Sequence, residues 1–333
     1  MAINSLGDLA TAFILRRQSA EAKSQIQTLS SELTSGLALD RAAHLSGNLA
    51  ALAGIESSLA KLKGFSNAAR DLNLTAGAMQ LALSSIGGQT LDLSGRLLTA
   101  ATTKSETQID AVAQASVSQL TSVVAALNTR FGDRSLFSGT ATNQAAMIPA
   151  DELLTLLEGV VAGATGSAQA EGMIAAWFDD PGGFAAQVYL GADPQDPIAV
   201  APGEVAQLDL TLMNPAILDT LKALALPALM TRGLLAGQSA GQADITKRSG
   251  ERLLELQTSW AEVAAKLGTT EAQLGSALAR NSAEYAALEI ARVDLIGVDP
   301  FETATRLEAV QTQLETMYAL TARMQRLNLA DYL

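Results

Sequence analysis

Cysteine is absent from the 333 residues, which excludes disulfides, thiolate zinc sites and cysteine nucleophiles. Histidine occurs once, as His44, so no second imidazole exists to share a metal. Aromatic residues are scarce, at 4%, and alanine, leucine, serine, threonine and glutamine take their place, as in long helices packed closely together. Positive charge is also short. Twenty-two Lys and Arg face 34 Asp and Glu, a formal net charge of -12. That balance argues against nucleic acid or an anionic membrane as partner, because both require a cationic face.

Long apolar runs are missing too. The longest uncharged stretches, Leu72–Leu91 and Ala111–Thr129, are laced with Asn, Thr, Ser, Gln and Gly and do not read as membrane spans. At the N-terminus, Asp8 precedes the apolar stretch and Arg16-Arg17 follow it, the reverse of a secretory signal. An exported chain of this kind is expected to use a route that leaves the N-terminus uncut. What is abundant is apolar side chain, at 48%, enough to exclude a disordered polymer. The length suits two or three modest domains.

The first third is helical in pattern. Ala22, Ile26, Leu29 and Leu33 fall on one stripe that ends at Gly36. Met79, Leu83, Ile86, Thr90, Leu93 and Leu97 alternate in steps of 4 and 3, as do Ile109, Ala113, Ser116, Leu120, Val123 and Leu127. This is the seam of a coiled coil. Thr102, Thr103 and Ser105 mark a break, with Ser105 or Glu106 opening the next helix.

Between Ser138 and Pro227 lie all the prolines except Pro300. Gln187–Leu190, Ile198–Val200 and the alternating Val205–Leu212 read as strands, and Pro202-Gly203 as the turn between the last two. Leu153–Val161 and Met173–Phe178 read as short helices. The region is expected to be a small α+β insert with a β-hairpin. The last third returns to heptads, from Leu253 through Leu256, Trp260, Leu267, Leu274 and Asn281 to Leu295. Unbroken at Gly268, a helix from about Gly241 to Ile296 would be on the order of 80 Å long at ~1.5 Å per residue. Gly297–Asp299 punctuate it, and Pro300 suits the first turn of a final helix whose stripe is Leu307, Val310, Leu314, Met317, Thr321 and Met324.

The expected fold class is therefore mostly α: a long antiparallel coiled-coil helical bundle built from both chain ends, with the small α+β insert between. The expected segments are an N-terminal axial helix (1–40), the first half of a helical rod (41–140), the insert (141–230), the second half of the rod (231–297) and a C-terminal axial helix (298–333). Tyr318, Leu320, Leu327, Leu329, Tyr332 and Leu333 fall off the last seam, so one side of the paired ends is left seeking another subunit.

Catalytic constellations do not assemble. Gly237-Gln238-Ser239-Ala240-Gly241 fits a nucleophile-elbow pattern, but that motif needs a preceding strand and a later histidine. There is no P-loop and no G-x-G-x-x-G, and Asp179-Asp180 before Pro181-Gly182 reads as a turn. Asn73-Leu74-Thr75 fits a glycosylation acceptor but lies in a helical stripe. The chain is read as a non-enzyme without cofactor or metal.

Three segments carry a family resemblance. Arg134-Ser135-Leu136-Phe137-Ser138-Gly139-Thr140 resembles the Y-L-F-S-G-T signature of hook–filament junction proteins. Leu29–Gly36 resembles the Ser-Ser-Gly step that ends the first helix of flagellins. Val298-Asp299-Pro300 through Arg326–Leu333 is similar to the closing segment of the same superfamily. The chain thus resembles the flagellin superfamily over roughly its first 140 and last 95 residues. Leu39–His44 has one aspartate where the family usually has two, and Arg96-Leu97-Leu98 lacks the acid of an Arg-Glu-Leu step; both lean away from an ordinary filament subunit.

The resemblance implies export as an unfolded chain through a type III channel with a dedicated chaperone, and an extracellular place in the bacterial flagellum. Implied partners are other copies of the chain, flagellin and other hook-associated proteins. The expected assembly surface is Leu6, Leu9, Phe13 and Ile14 at one end, with Val310, Leu314, Met317, Leu320, Met324, Leu327 and Leu333 at the other. The role this implies is a structural subunit joining hook to filament, with a filament subunit and a non-flagellar helical adaptor open as alternatives.

Overall fold

The computed structural model describes residues 3–330, and within the end helices the side chains of residues 10 and 13–323. In chain order the elements are α1 (Ile3–Ser35), α2 (Arg41–His44), α3 (Ala50–Thr103), α4 (Glu106–Leu127), β1 (Arg130–Phe131), β2 (Arg134–Ser135), α5 (Ala150–Val161), α6 (Ser167–Asp179), α7 (Phe184–Gln187), β3 (Ile198–Ala201), β4 (Glu204–Ala206), α8 (Pro215–Met230), α9 (Ser239–Ile296) and α10 (Pro300–Ala330). The chain is mostly α, with two small antiparallel sheets, β1-β2 and β3-β4. It divides into two compact units, residues 1–63 with 282–333, and residues 64–281.

The heptads in residues 64–281 are the buried seams of their helices. On α3, Met79, Leu83, Ile86, Thr90, Leu93 and Leu97 are buried, and on α4 so are Ile109, Ala113, Ser116, Leu120, Val123 and Leu127. The polar members give their hydroxyls to their own helix: Thr90 Oγ1 donates to the Ile86 carbonyl at 2.8 Å and Ser116 Oγ to that of Val112 at 2.8 Å. Buried polar groups carry little cost when bonded in this way. The break falls where the sequence placed it, with Ser105 as N-cap and Glu106 in the first turn of α4. On α9, Leu253, Leu256, Trp260, Leu267 and Leu274 are buried, and Gly268 does not interrupt the 58-residue helix. α3 and α9 meet closely: a Cβ on Gly250 would lie 3.0 Å from Leu98 Cγ, and one on Gly77 3.7 Å from Glu271 Oε1.

The insert departs from the expectation in three places. Gln187–Leu190 is not a strand; Gln187 ends α7 and only Tyr189 forms an isolated bridge, to Met147. The expected strand at Val205–Leu212 pairs only through Ala206, because β3 is its sole partner and β3-β4 is a two-stranded hairpin. Beyond it the alternation holds from Gln207 to Leu210, with Leu208 and Leu210 buried and Gln207 and Asp209 exposed, but Thr211, whose place in the pattern is outward, is buried beside Leu212, and Val205, whose place is inward, is exposed. Third, α8 has no counterpart in the heptad reading. Its charges are confined to Asp219 and Lys222, and it is buried from Ala223 through Met230, so its second half shows no stripe against which a period could be read. Asn214 caps it, accepting from the Ala216 N–H at 3.0 Å, and Pro215 occupies the first turn.

Polar contacts tie the insert to α9. Asn281 Nδ2 donates to the Val200 carbonyl at 2.7 Å, Lys266 pairs with Asp209 at 2.6 Å, and Arg280 pairs with Glu204. Trp260 Nε1 donates to Thr220 Oγ1 of α8 at 3.1 Å.

Candidate functional site

Within the unit formed by residues 1–63 and 282–333, α1 packs along α10. The two helices meet where the chain leaves one and enters the other. Gly36, at φ +72°, ends α1 in the left-handed conformation, and its N–H donates to the Glu32 carbonyl at 2.7 Å; glycine is the usual residue for that cap. The following segment pairs with the segment before α10. Ala38 N–H donates to the Ile296 carbonyl at 2.8 Å and Val298 N–H to that of Gly36 at 3.0 Å, around an isolated bridge between Leu37 and Gly297. Asp299 then caps α10, its Oδ1 accepting from Phe301 N–H at 2.8 Å and from Glu302 N–H at 3.2 Å. This ladder holds α1 and α10 side by side and antiparallel.

The seam of this pair is thin. Among the described side chains of α1 and α10, Ala22 and Met317 are the buried apolar ones, with Thr303 buried at the start of α10. Ile26, Leu29, Leu307, Val310 and Leu314 are half-buried. Of the expected assembly residues, Val310, Leu314 and Met317 therefore lie on the seam within the chain. Phe13 (69%), Ile14 (53%) and Leu320 (49%) are exposed. The side chains of Leu6, Leu9, Met324 and Leu327, and the whole of Leu333, lie outside the described residues.

Sequence reasoning did not weigh Phe301, exposed at 82% beside the linker ladder. Its place immediately after Pro300 was the available signal. Tyr318, also exposed, has its hydroxyl pulled below its ordinary pKa of 10.0 by a hydrogen bond from Lys23 and a second involving Ser19. The Lys23 ammonium stands 5.7 Å from the Tyr318 ring centre, a cation–π distance. Lys23 and Tyr318 thus join α1 to α10 at the rim of the seam.

The signature-like segment at residues 134–140 has a different task. Leu136, Phe137 and Ser138 are buried. The Leu212 N–H donates to the Phe137 carbonyl at 3.0 Å, the Ala192 N–H to that of Ser138 at 3.0 Å, and the Thr140 N–H to that of Asp193 at 2.9 Å. Asn128, the C-cap of α4, completes the anchor by exchanging two 3.0 Å bonds with the Met147 backbone. The motif is where the insert is fastened to the end of α4.

No catalytic arrangement forms around the other motifs. His44 is exposed on α2, and Ser239 of the elbow-like pattern opens α9 with no strand before it. Among the described residues no group of three His, Asp or Glu is placed to hold a metal, and no helix is long and apolar enough to cross a membrane. The charged cleft between α6, α8 and α9 contains Lys222, Arg248 and Arg252, each paired with Asp219, Glu171 or Glu255 at 2.6–3.4 Å. These cations are neutralised by their own neighbours.

Residues 253–333 match the family model of the bacterial flagellin C-terminal helical region. No curated protein matches the chain. Among solved structures, one described as a flagellar hook-associated protein from Vibrio parahaemolyticus has a similar fold, with a TM-score of 0.53 at 14% identity, covering 73% of this chain and 95% of that one.

Proposed function

We propose that this chain is a structural subunit of the bacterial flagellum, a member of the flagellin superfamily that joins hook to filament. One observation carries the reading: two helices of 33 and 31 residues lie paired at the chain ends with almost no buried seam among their described side chains, while Phe13, Ile14, Tyr318 and Leu320 face outward. Ordering a backbone costs about 1–2 kcal/mol per residue, and a seam this thin does not offset it. Contacts with neighbouring subunits supply the missing burial, so association and ordering of the ends occur together. Unlike, non-closing contacts between copies then propagate as a helical array.

The match of residues 253–333 to the flagellin C-terminal region supports the superfamily. The Leu136-Phe137-Ser138-Gly139 segment and the hook-associated structural neighbour favour the junction over the filament itself. The partners on this reading are other copies, flagellin, further hook-associated proteins and an export chaperone, with secretion through the flagellar channel. The role is mechanical, with no catalytic step.

Deleting the gene is expected to leave hooks without filaments and to spill flagellin into the medium, and immunogold is expected to mark a short band at the hook tip. Persisting filaments would reject the junction. Gold along whole filaments would instead favour a flagellin, and protein confined to the cell interior would favour a helical adaptor.

A further inference from the structure

A second cleft lies wholly within the insert, between the loop that follows α7 and the segment that enters α8. Its volume is about 570 Å³, within the range of small-ligand sites. Tyr189, Gly191, Ala192 and Asp193 wall one side, and Thr211 and Asn214 the other. The loop is fixed before any ligand arrives. Leu190 N–H donates to the Ala146 carbonyl at 2.9 Å, Ala192 N–H to that of Ser138 at 3.0 Å, and Thr140 N–H to that of Asp193 at 2.9 Å. The Tyr189 hydroxyl donates to the Ala192 carbonyl at 2.6 Å. A Cβ on Gly191 would lie 2.4 Å from Cε2, Cζ and the hydroxyl oxygen of Tyr189, so the ring keeps this place only beside glycine.

The polar groups facing this space have unmet bonding capacity. Asn214 uses its Oδ1 to cap α8, accepting from Ala216 N–H at 3.0 Å, and its Nδ2 hydrogens have no acceptor among the described residues. The Asp193 carboxylate makes no ion pair among the described residues, and it stands close enough to Tyr189 to act on its charge. Thr211, buried against the alternation of its segment, bonds to the Tyr189 hydroxyl. Burial holds that hydroxyl above its ordinary pKa of 10.0, so it stays a protonated donor.

We propose that this cleft binds a carbohydrate, seating one sugar ring against Tyr189. The free groups select that class. A carboxylate accepts from sugar hydroxyls, an amide donates to a hydroxyl oxygen, and a half-buried aromatic ring offers an apolar surface to the ring carbons. Anions are repelled by Asp193. Asp209, at the edge of the cleft, is already paired with Lys266 at 2.6 Å, which leaves one free carboxylate, too few to hold a metal. An apolar ligand would desolvate the amide and the carboxylate without bonding them. A neutral polyol meets each group. The inference does not depend on the flagellar reading.

The test titrates the full-length protein with methyl glycosides of glucose, galactose, mannose and N-acetylglucosamine, followed by saturation-transfer NMR. At least one is expected to bind with a Kd of about 1–10 mM, as suits so small a ligand in an open cleft. Asp193→Asn and Asn214→Asp are each expected to weaken it at least about tenfold. Aspartate keeps the cap acceptor at 214, so helical circular dichroism is expected to stay unchanged. No bound glycoside at about 50 mM, well above the expected constant, or binding unmoved by both variants, overturns the proposal. So does tetramethylammonium binding in the cleft more tightly than every glycoside, which would make it a cation site. Retention on cellulose, chitin or agarose that is lost in Asp193→Asn upholds the site and names a polysaccharide as its source; binding of the glycosides alone upholds it with a free sugar.

Discussion

Gly139 and Gly132 share a backbone conformation, φ +62° at both, but only Gly139 is crowded. A Cβ at Gly139 would lie 2.3 Å from the Asp193 carbonyl oxygen and 2.4 Å from that of Ala192, whereas one at Gly132 meets nothing within 4 Å. Alanine at either position incurs the left-handed strain of an L-residue, about 1–2 kcal/mol. At Gly139 the obstructing atoms are backbone, so relief requires residues 138–140 to part from 192–193. That breaks the Thr140–Asp193 and Ser138–Ala192 bonds, and because Thr140, Ala192 and Asp193 are exposed, each lost bond costs about 0.5–1.5 kcal/mol. Gly139→Ala is therefore expected to lose about 2–5 kcal/mol in all and Gly132→Ala about 1–2 kcal/mol. For a folded unit of this size that is a fall in Tm of about 10 °C against a few degrees. Urea titrations followed by helical circular dichroism and by the fluorescence of Trp177 and Trp260 check it. Equal shifts for the two variants would refute the argument that the signature-like segment is a close-packed anchor for the insert.

Replacing Phe13 and Ile14 by glutamate is expected to leave the unfolding midpoint within about 0.5 kcal/mol of the parent, since both are exposed, while abolishing incorporation into flagella; normal flagella from this variant would remove the assembly surface from α1. Asn281→Ala leaves the Val200 carbonyl without its partner and is expected to lower stability by about 1–3 kcal/mol, read as earlier urea unfolding. Leu120→Ala, at a fully buried seam position, is expected to cost about 2–5 kcal/mol on the same measurement. Asp244 is held below its ordinary pKa of 3.8 chiefly by the hydrogen bond from Ser167, then by Arg248. A depressed carboxylate stabilises fully above its unfolded pKa and loses that contribution as pH falls through the folded value. The advantage of the parent over Asp244→Asn is thus expected to be constant near neutrality and to shrink as pH falls below about 4; an advantage unchanged in acid would refute it.

The heptads of α3, α4 and α9 were legible in the sequence because a coiled-coil seam is a local, periodic property of one helix. Gly36, Ser105 and Pro300 were legible as boundaries because capping depends on the residue and its immediate neighbours. The partition of the assembly residues was less so. Val310, Leu314 and Met317 share a stripe with Met324, but the stripe does not say whether α1 or another molecule covers it. That depends on the Gly36–Ala38 and Ile296–Val298 ladder, whose partners are some 260 residues apart.

Composition and period alone determined that the chain is mostly helical, without thiol chemistry, and interrupted by an insert. Tertiary structure alone decided that Val205–Leu212 pairs for only part of its length, because a strand needs a partner whose extent lies elsewhere in the chain. It also decided that α8 is a helix whose second half is wholly buried, where burial erases the amphipathic pattern. Finally, it assigned Leu136–Thr140 to fastening the insert, through bonds to Ala192, Asp193 and Leu212 that no local spacing encodes. Local rules reach only as far as a helix turn or a cap, and these contacts are made by segments remote along the chain.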